Sequence, residues 1–230
     1  MSTKIMLMTL PGKEKGNRLE TRSPTRQIPK MSASWVRYFI WSYHTLLEGL
    51  LGRGTMEGKE AAMNTAMESL LSRRSVRSFT EEQIADEDLL LILEAGRLAP
   101  NGKNQETWHF TALQDPKKLR SLDELVVGPN NSFFYHAPTL ILVSIQLGSA
   151  YEKEDTACAL TNMMQAARAL GLGSVWCNRI NNNHDIDTQL SDYGIPDGYR
   201  VTGTLAVGHV KGDYPAMRKP KEGTITIIRA

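Results

Sequence analysis

The chain has 230 residues, a formal charge of +2 and 41% hydrophobic side chains. That length suits one sizeable domain, since single domains run to roughly 250 residues, and so small a charge excludes bulk affinity for nucleic acid. Its distribution is uneven: residues 1–62 hold ten Lys or Arg against five Asp or Glu, and residues 63–230 hold seventeen against twenty. The excess basicity is therefore confined to the N-terminal quarter.

Residues 1–10 are briefly apolar, but Pro11-Gly12-Lys13-Glu14-Lys15 interrupts them at once, so no secretory leader is read. Residues 35–51 are the most apolar stretch, yet they contain Arg37, His44 and Glu48 and fall short of the about 20 apolar residues that span a bilayer. A cytoplasmic protein without membrane attachment is expected. Residues 1–30 read as disordered, and residues 31–52 as a helix ended by Gly52-Arg53-Gly54. The pattern becomes regular from Glu57, so 1–62 are expected to be a poorly structured extension and 63–230 the working domain. Gly58-Lys59-Glu60 is encodable by a purine-rich stretch resembling a bacterial ribosome-binding site ahead of Met63. This raises the expectation that the native protein starts at Met63. The intact mass of natively expressed protein tests it, and a species beginning at Met1 overturns it.

Beyond Met63 the elements alternate. Residues 65–72 read as a helix with Leu70 and Leu71 pointing inward. After Ile84 a second helix carries Leu89, Leu90, Ile92, Leu93 and Leu98 at helical spacing, with Asp86 as its N-cap. Residues 108–113 form a strand, and Asp115-Pro116 opens the next helix with a capping side chain and a proline at its first position. The apolar run over 138–146 reads as a strand buried on both faces. A long helix over 154–170 carries Ala157, Ala159, Ala166, Ala167 and Ala169, which admit a neighbouring helix, and Gly171 stops it. There follow a strand over 174–179, a short helix over 184–193 closed by Gly194, and a strand over 201–210. The tail, interrupted by Pro215 and Pro220, ends in Thr224-Ile225-Thr226-Ile227-Ile228, a strand-prone segment expected to find its sheet edge on a second subunit.

Four stretches concentrate chemistry. Ser72-Arg73-Arg74-Ser75-Val76-Arg77 packs three guanidiniums and two hydroxyls into six positions, a donor density suited to a phosphate or another compact anion. Arginines at a helix C-terminus also meet the helix dipole, which is the plainer reading. Residues 100–108, Pro-Asn-Gly-Lys-Asn-Gln-Glu-Thr-Trp, group amides able to read a heterocycle's edge in a glycine-bearing loop; the alternative is an ordinary capped turn. Gly171-Leu172-Gly173-Ser174-Val175-Trp176-Cys177-Asn178-Arg179 places helix before strand, the wrong order for a dinucleotide fingerprint. Arg218-Lys219 adds charge to the tail.

Other chemistries find no support. Cys158 and Cys177, nineteen positions apart and without paired histidines, form neither a disulfide framework nor a metal ligand set, and neither has an obvious base for a nucleophilic role. His109 and His209 lie on apolar strands as structural residues, Met163 and Met164 fall at core spacing, and no Gly-x-Ser-x-Gly turn occurs.

Ser72-Arg73-Arg74-Ser75-Val76-Arg77-Ser78-Phe79, Ala99-Pro100-Asn101-Gly102-Lys103-Asn104-Gln105-Glu106-Thr107-Trp108-His109-Phe110, Ala169-Leu170-Gly171-Leu172-Gly173-Ser174-Val175-Trp176 and Gly194-Ile195-Pro196-Asp197-Gly198-Tyr199, in that order, resemble the successive signatures of FMN-dependent nitroreductase-like proteins. The resemblance covers about residues 63–230. It implies an α+β fold, a three-layer α/β/α sandwich around a mostly antiparallel sheet. It also implies a homodimer that exchanges its C-terminal arm and binds FMN at the interface. Arg73 and Ser75 would meet the phosphate, Arg77 the pyrimidine edge, and Asn104 the ring's polar edge. Trp176, Cys177 and Asn178 would pass the reactive side of the ring and offer backbone donors, while Arg218 and Lys219 would return to the phosphate. Arg74 joins this cofactor-binding set without an assigned contact.

The implied activity is a two-step ping-pong reaction: NADH or NADPH supplies a hydride, and a small electron-poor acceptor, such as a nitroaromatic or quinone, takes the electrons. No catalytic side chain is singled out, because the chemistry belongs to the flavin. Rival readings are a flavin carrier or sensor with little turnover, an anion clamp without flavin, and a related flavin chemistry such as reductive dehalogenation. Glu106-Thr107 stands where the family commonly has Gln-Pro, Gly208-His209-Val210 where Gly-Tyr-Pro often follows, and Cys177-Asn178 where small residues are frequent. These departures bear on the acceptor pocket.

Overall fold

An apolar run of strand length must place its backbone donors and acceptors on both sides, and Thr139–Gln146 (β2) does so between two neighbours. The structure, a computed structural model, describes residues 66–180 and 184–229, which belong to one compact unit. The expectations for residues 1–62, the start at Met63 included, lie outside the described residues. Trp108–Leu113 (β1), β2, Gly173–Cys177 (β3) and Tyr199–Gly208 (β4) form a sheet of order β1-β2-β4-β3, every neighbouring pair antiparallel. Residue pairs Phe110 with Val143, Ile141 with Leu205 and Val175 with Ala206 fix the register, and an irregularity at Val143/Ser144 shifts it once.

Side chains on β2 divide by parity. Leu140 and Leu142 enter one apolar cluster with Leu119, Leu122, Phe133 and Phe134, whereas Ile141 and Val143 enter another with Ile92, Leu160 and Met163. All four β2 residues are fully buried, as expected for a central strand. Helices Asp86–Arg97 (α1) and Glu152–Ala169 (α3) supply the second cluster, and Pro116–Val127 (α2) the first. The result is the expected three-layer arrangement. The small-residue face of α3 works as read: Ala159 and Ala167 are fully buried, and Asn162 Nδ2 donates to Ala95 O of α1 at 3.1 Å.

Local signals held where they were backbone signals. Asp115 Oδ1 accepts from Lys117 N at 2.8 Å and also from Lys118 N, capping α2. Gly171 adopts φ +76° immediately after α3, a left-handed conformation that ends the helix.

Several expectations need correction. Asp86 is the first residue of α1 rather than its cap; Ala85 takes the cap position, and Asp86, Glu87 and Asp88 place three carboxylates in the first turn instead. Leu70 and Leu71, on the helical stretch 66–72, are 52% and 63% exposed, because no layer formed by the described residues lies beneath them. The third strand ends at Cys177, and the fourth runs from Tyr199 to Gly208. Residues 224–228 form no strand within the single chain, and Ile228 is 93% exposed. Among the described residues no helix is long and apolar enough to cross a membrane, and no cluster of ligating side chains would hold a metal ion.

Candidate functional site

The arginine-rich stretch lies along the rim of the sheet, pinned by its own backbone. Ser75 bridges Ser174 in parallel on the outer edge of β3, with Val76 N donating to Ser174 O at 3.0 Å. Farther on, Phe79 bridges Val210, Thr80 N donates to His209 O and Lys211 N to Ser78 O, both at 3.0 Å. Val76 is buried in the core, so its neighbours Ser75 and Arg77 face the other way, and Arg73 shares their parity.

Arg77 is exposed and held laterally. Its Nε donates to the Tyr135 hydroxyl at 3.3 Å, and its guanidinium carbon lies 5.8 Å from the centroid of that ring. Tyr135 and His136 both take left-handed φ values, 60° and 54°, which non-glycine residues keep only under constraint. The constraint comes from Asp123 on α2, whose buried carboxylate accepts from Phe133 N at 3.0 Å, and from Ser132 Oγ, which accepts from His136 N at 3.0 Å. Burial pushes the Asp123 carboxyl above its usual range, opposed by hydrogen bonds from Ser132 and Phe133 and by the charge of His136.

The neighbouring arginines are employed differently. Arg74 Nε donates to Ala216 O at 3.3 Å, and its Nη1 donates to Leu71 O at 2.9 Å and Arg73 O at 2.6 Å. Among the described residues, none accepts from the side chains of Arg73, Ser75, Arg218 or Lys219. Two guanidiniums, an ammonium and a hydroxyl with open donors are groups of the kind a phosphate takes, so the chemistry of these side chains fits the phosphate end of a flavin mononucleotide.

The amide loop leads into β1, at the other edge of the sheet. Gly102–Asn104 form a 3-10 turn, and Lys103, Asn104 and Glu106 adopt φ values of 55°, 53° and 50°. Three left-handed non-glycine residues in four positions mark a strained segment. Asp155, buried near the start of α3, accepts from Gly102 N at 2.7 Å, and Asn101 Oδ1 accepts from Glu106 N at 3.0 Å. Gly102 is required sterically: a Cβ there would fall 2.1 Å from the Tyr151 ring. Asp155 thus ties the loop to the start of α3, which packs on β4, β3 and β2. Asn104 and Glu106 are exposed there.

On β3, Val175 and Cys177 join the cluster under α2, while Trp176 faces the opposite side and is 36% exposed. Burial pushes the Cys177 thiol up to about 12, more than the nearby Arg77 cation lowers it, so the thiol stays protonated and is no nucleophile. His109 stands edge-on to Tyr199 with its pKa lowered by burial, a structural residue as expected. The structure thus gathers Arg73, Ser75, Arg77, Trp176 and Cys177 along one rim, with exposed Asn178 just beyond, whereas Asn104 lies in the loop that leads into β1, the opposite edge strand. Tyr135, Asp123, Asp155 and Tyr214 were not singled out in the sequence; only the position of Asp155 in the acidic first turn of α3 gave any signal.

The comparisons bear directly on this arrangement. The model of the nitroreductase family matches residues 70–130 and 123–209. The chain belongs to the nitroreductase family. A nitroreductase of Bacteroides fragilis, solved with bound FMN, is 35% identical; the match covers 71% of this chain and 98% of that one at a TM-score of 0.67. A relative from Archaeoglobus fulgidus, whose name assigns it provisionally as an NADH dehydrogenase or NAD(P)H nitroreductase, is 30% identical over 66% of this chain and 88% of its own length. The FMN reductase (NADPH) of Bacillus subtilis is 27% identical over 68% of this chain and 72% of its own length. The family match spans both the rim stretch and the amide loop.

Proposed function

We propose that this nitroreductase-family chain is an FMN-dependent oxidoreductase that draws electrons from NADH or NADPH and passes them to a small electron-poor acceptor. The observation that carries the reading is the division among adjacent arginines, Arg74 engaged by carbonyls while Arg73 and Ser75 keep open donors beside a laterally held Arg77. The chemistry FMN supplies when bound is hydride acceptance followed by electron delivery to a nitroaromatic, a quinone or a similar compound, the two partners taking turns. Arg73 and Ser75 hold the phosphate, and Arg218 and Lys219 close on it from the tail. Arg77, fixed against Tyr135, presents positive charge to the pyrimidine edge, where preorganised charge favours electron uptake. Backbone groups of residues 176–178 face the reactive side of the ring, and Asn104 its polar edge.

The working unit is a homodimer in the same proposal. Leu70, Leu71, Ile225, Ile227 and Ile228 are large exposed apolar residues, and a second copy that receives the tail would cover them. Residues 63–230 carry every group of the site, in a cytoplasmic protein.

The test is an absorbance spectrum of the purified chain before and after addition of NADH or NADPH, followed by a quinone. The expected protein is yellow, bleaches with at least one nucleotide and consumes it steadily once the quinone is present. A colourless chain that FMN does not load overturns the cofactor assignment. Bleaching without turnover favours a carrier or sensor.

A further inference from the structure

We infer that Tyr214 is a positioning residue that latches the C-terminal tail to the arginine rim and so sets where Arg218 and Lys219 meet the flavin phosphate. The inference rests on the proposed FMN site and adds a residue that no motif marks. Among residues 211–229, Tyr214 alone is not exposed; it packs against the core cluster under α2. Its hydroxyl accepts from Arg74 N at 2.9 Å and donates to Arg74 O at 3.3 Å, satisfying both backbone groups of one residue.

The tie is reciprocal. Arg74 returns its own side chain to the tail, Nε donating to Ala216 O at 3.3 Å. Arg168, near the end of α3, places its guanidinium carbon 4.2 Å from the Tyr214 ring centroid while its Nε donates to Ser72 Oγ at 2.9 Å. Segments 72–74, 168 and 214–216 thereby form one closed cluster. Two residues of fully extended chain span at most about 7 Å, so an anchored Ala216 confines the Arg218 backbone to the neighbourhood of Arg73. Without the latch, the tail cations would sample a far larger volume and their contribution to phosphate binding would fall with the loss of preorganisation.

Riboflavin, which lacks the phosphate, separates positioning from general destabilisation. The full-length chain, stripped of flavin, is titrated with FMN and with riboflavin by quenching of flavin fluorescence. Tyr214→Ala is expected to weaken FMN by about tenfold or more, the scale of hydrogen bonds to a charged group, and to leave riboflavin within twofold. Tyr214→Phe, which keeps the ring under Arg168 and loses only the hydroxyl, should show the same selective loss in smaller measure. Equal loss for both flavins, or no loss for FMN in either variant, overturns the latch. Failure of the underlying reading looks different: wild-type protein that binds FMN no more tightly than riboflavin has no phosphate site.

Discussion

The rim stretch over 73–77 and the amide loop over 101–106 offer similar densities of polar side chains, yet they are held by opposite means. The first is pinned by main-chain bonds to β3 and, farther on, to the chain just past β4, so Arg73, Ser75 and Arg77 are not needed to hold its backbone, whereas Arg74 bonds the carbonyls of Leu71, Arg73 and Ala216 and Val76 is buried in the core. The second is held in left-handed conformations by two side chains, Asp155 and Asn101, and by the absence of a side chain at Gly102. Substitutions should therefore alter ligand affinity on the rim and stability in the loop. The contrast teaches that the chemistry-bearing residues of this protein have different tolerances at the two edges of one sheet.

The largest effect expected from this contrast is at Gly102. Gly102→Ala would put a methyl group inside the Tyr151 side chain, whose own Cβ lies 2.7 Å from the new atom, so ring rotation cannot relieve all of the clash. Overpacking of this kind costs ~3 kcal/mol, read from the midpoint of urea unfolding, whereas Ser75→Ala on the rim should change it by no more than about 0.5 kcal/mol. Comparable losses at both positions would erase the distinction.

An intermediate effect divides Arg73 from Arg74. Arg73→Ala should weaken FMN binding about tenfold with little change in unfolding, because its donors serve no described protein group. Arg74→Ala should cost about 1 kcal/mol of stability, because Leu71, Arg73 and Ala216 lose their donor. Flavin titration and urea unfolding of both variants check the pair, and a reversed pattern would exchange their roles.

The smallest effect is confined to alkali. Folding raises the Cys177 pKa from 9.0 to about 12, so the protonated thiol is favoured in the folded chain. Its stabilising contribution is complete below pH 9, the unfolded value, and is lost as pH rises toward 12. Cys177→Ser, which does not titrate in this range, should make the decline in stability between pH 9 and 11 shallower. An unchanged slope would show that the thiol is not what limits the folded chain there.

Legibility followed the range of the interactions. The helix cap at Asp115, the helix stop at Gly171, the strand Trp108–Leu113 and the doubly buried β2 were all readable, because each is set by neighbours in sequence or by plain periodicity. Leu70 and Leu71 were misread because helical spacing marks an apolar face without saying what, if anything, packs on it. Asp86 was misread because Ala85, just before it, adopts the extended conformation of a cap without offering a capping side chain.

The candidate site divides along the same line. Composition alone drew attention to Arg73, Arg74, Ser75 and Arg77, and the family resemblance gave roles to Asn104, the 176–178 segment, Arg218 and Lys219. Arg74 engages its donors with the nearby carbonyls of Leu71 and Arg73 and with that of Ala216, 142 residues away in sequence, while Tyr214 holds its backbone, and the long-range contacts are encoded by no local pattern. Likewise the grip of Tyr135 on Arg77 depends on a buried Asp123 and a strained loop. Sequence by itself determined the elements, the layers they build and the residue types gathered for an anion. Tertiary structure alone decided how each cation is used, because a guanidinium is identical in sequence whether carbonyls or a ligand receive its hydrogen bonds.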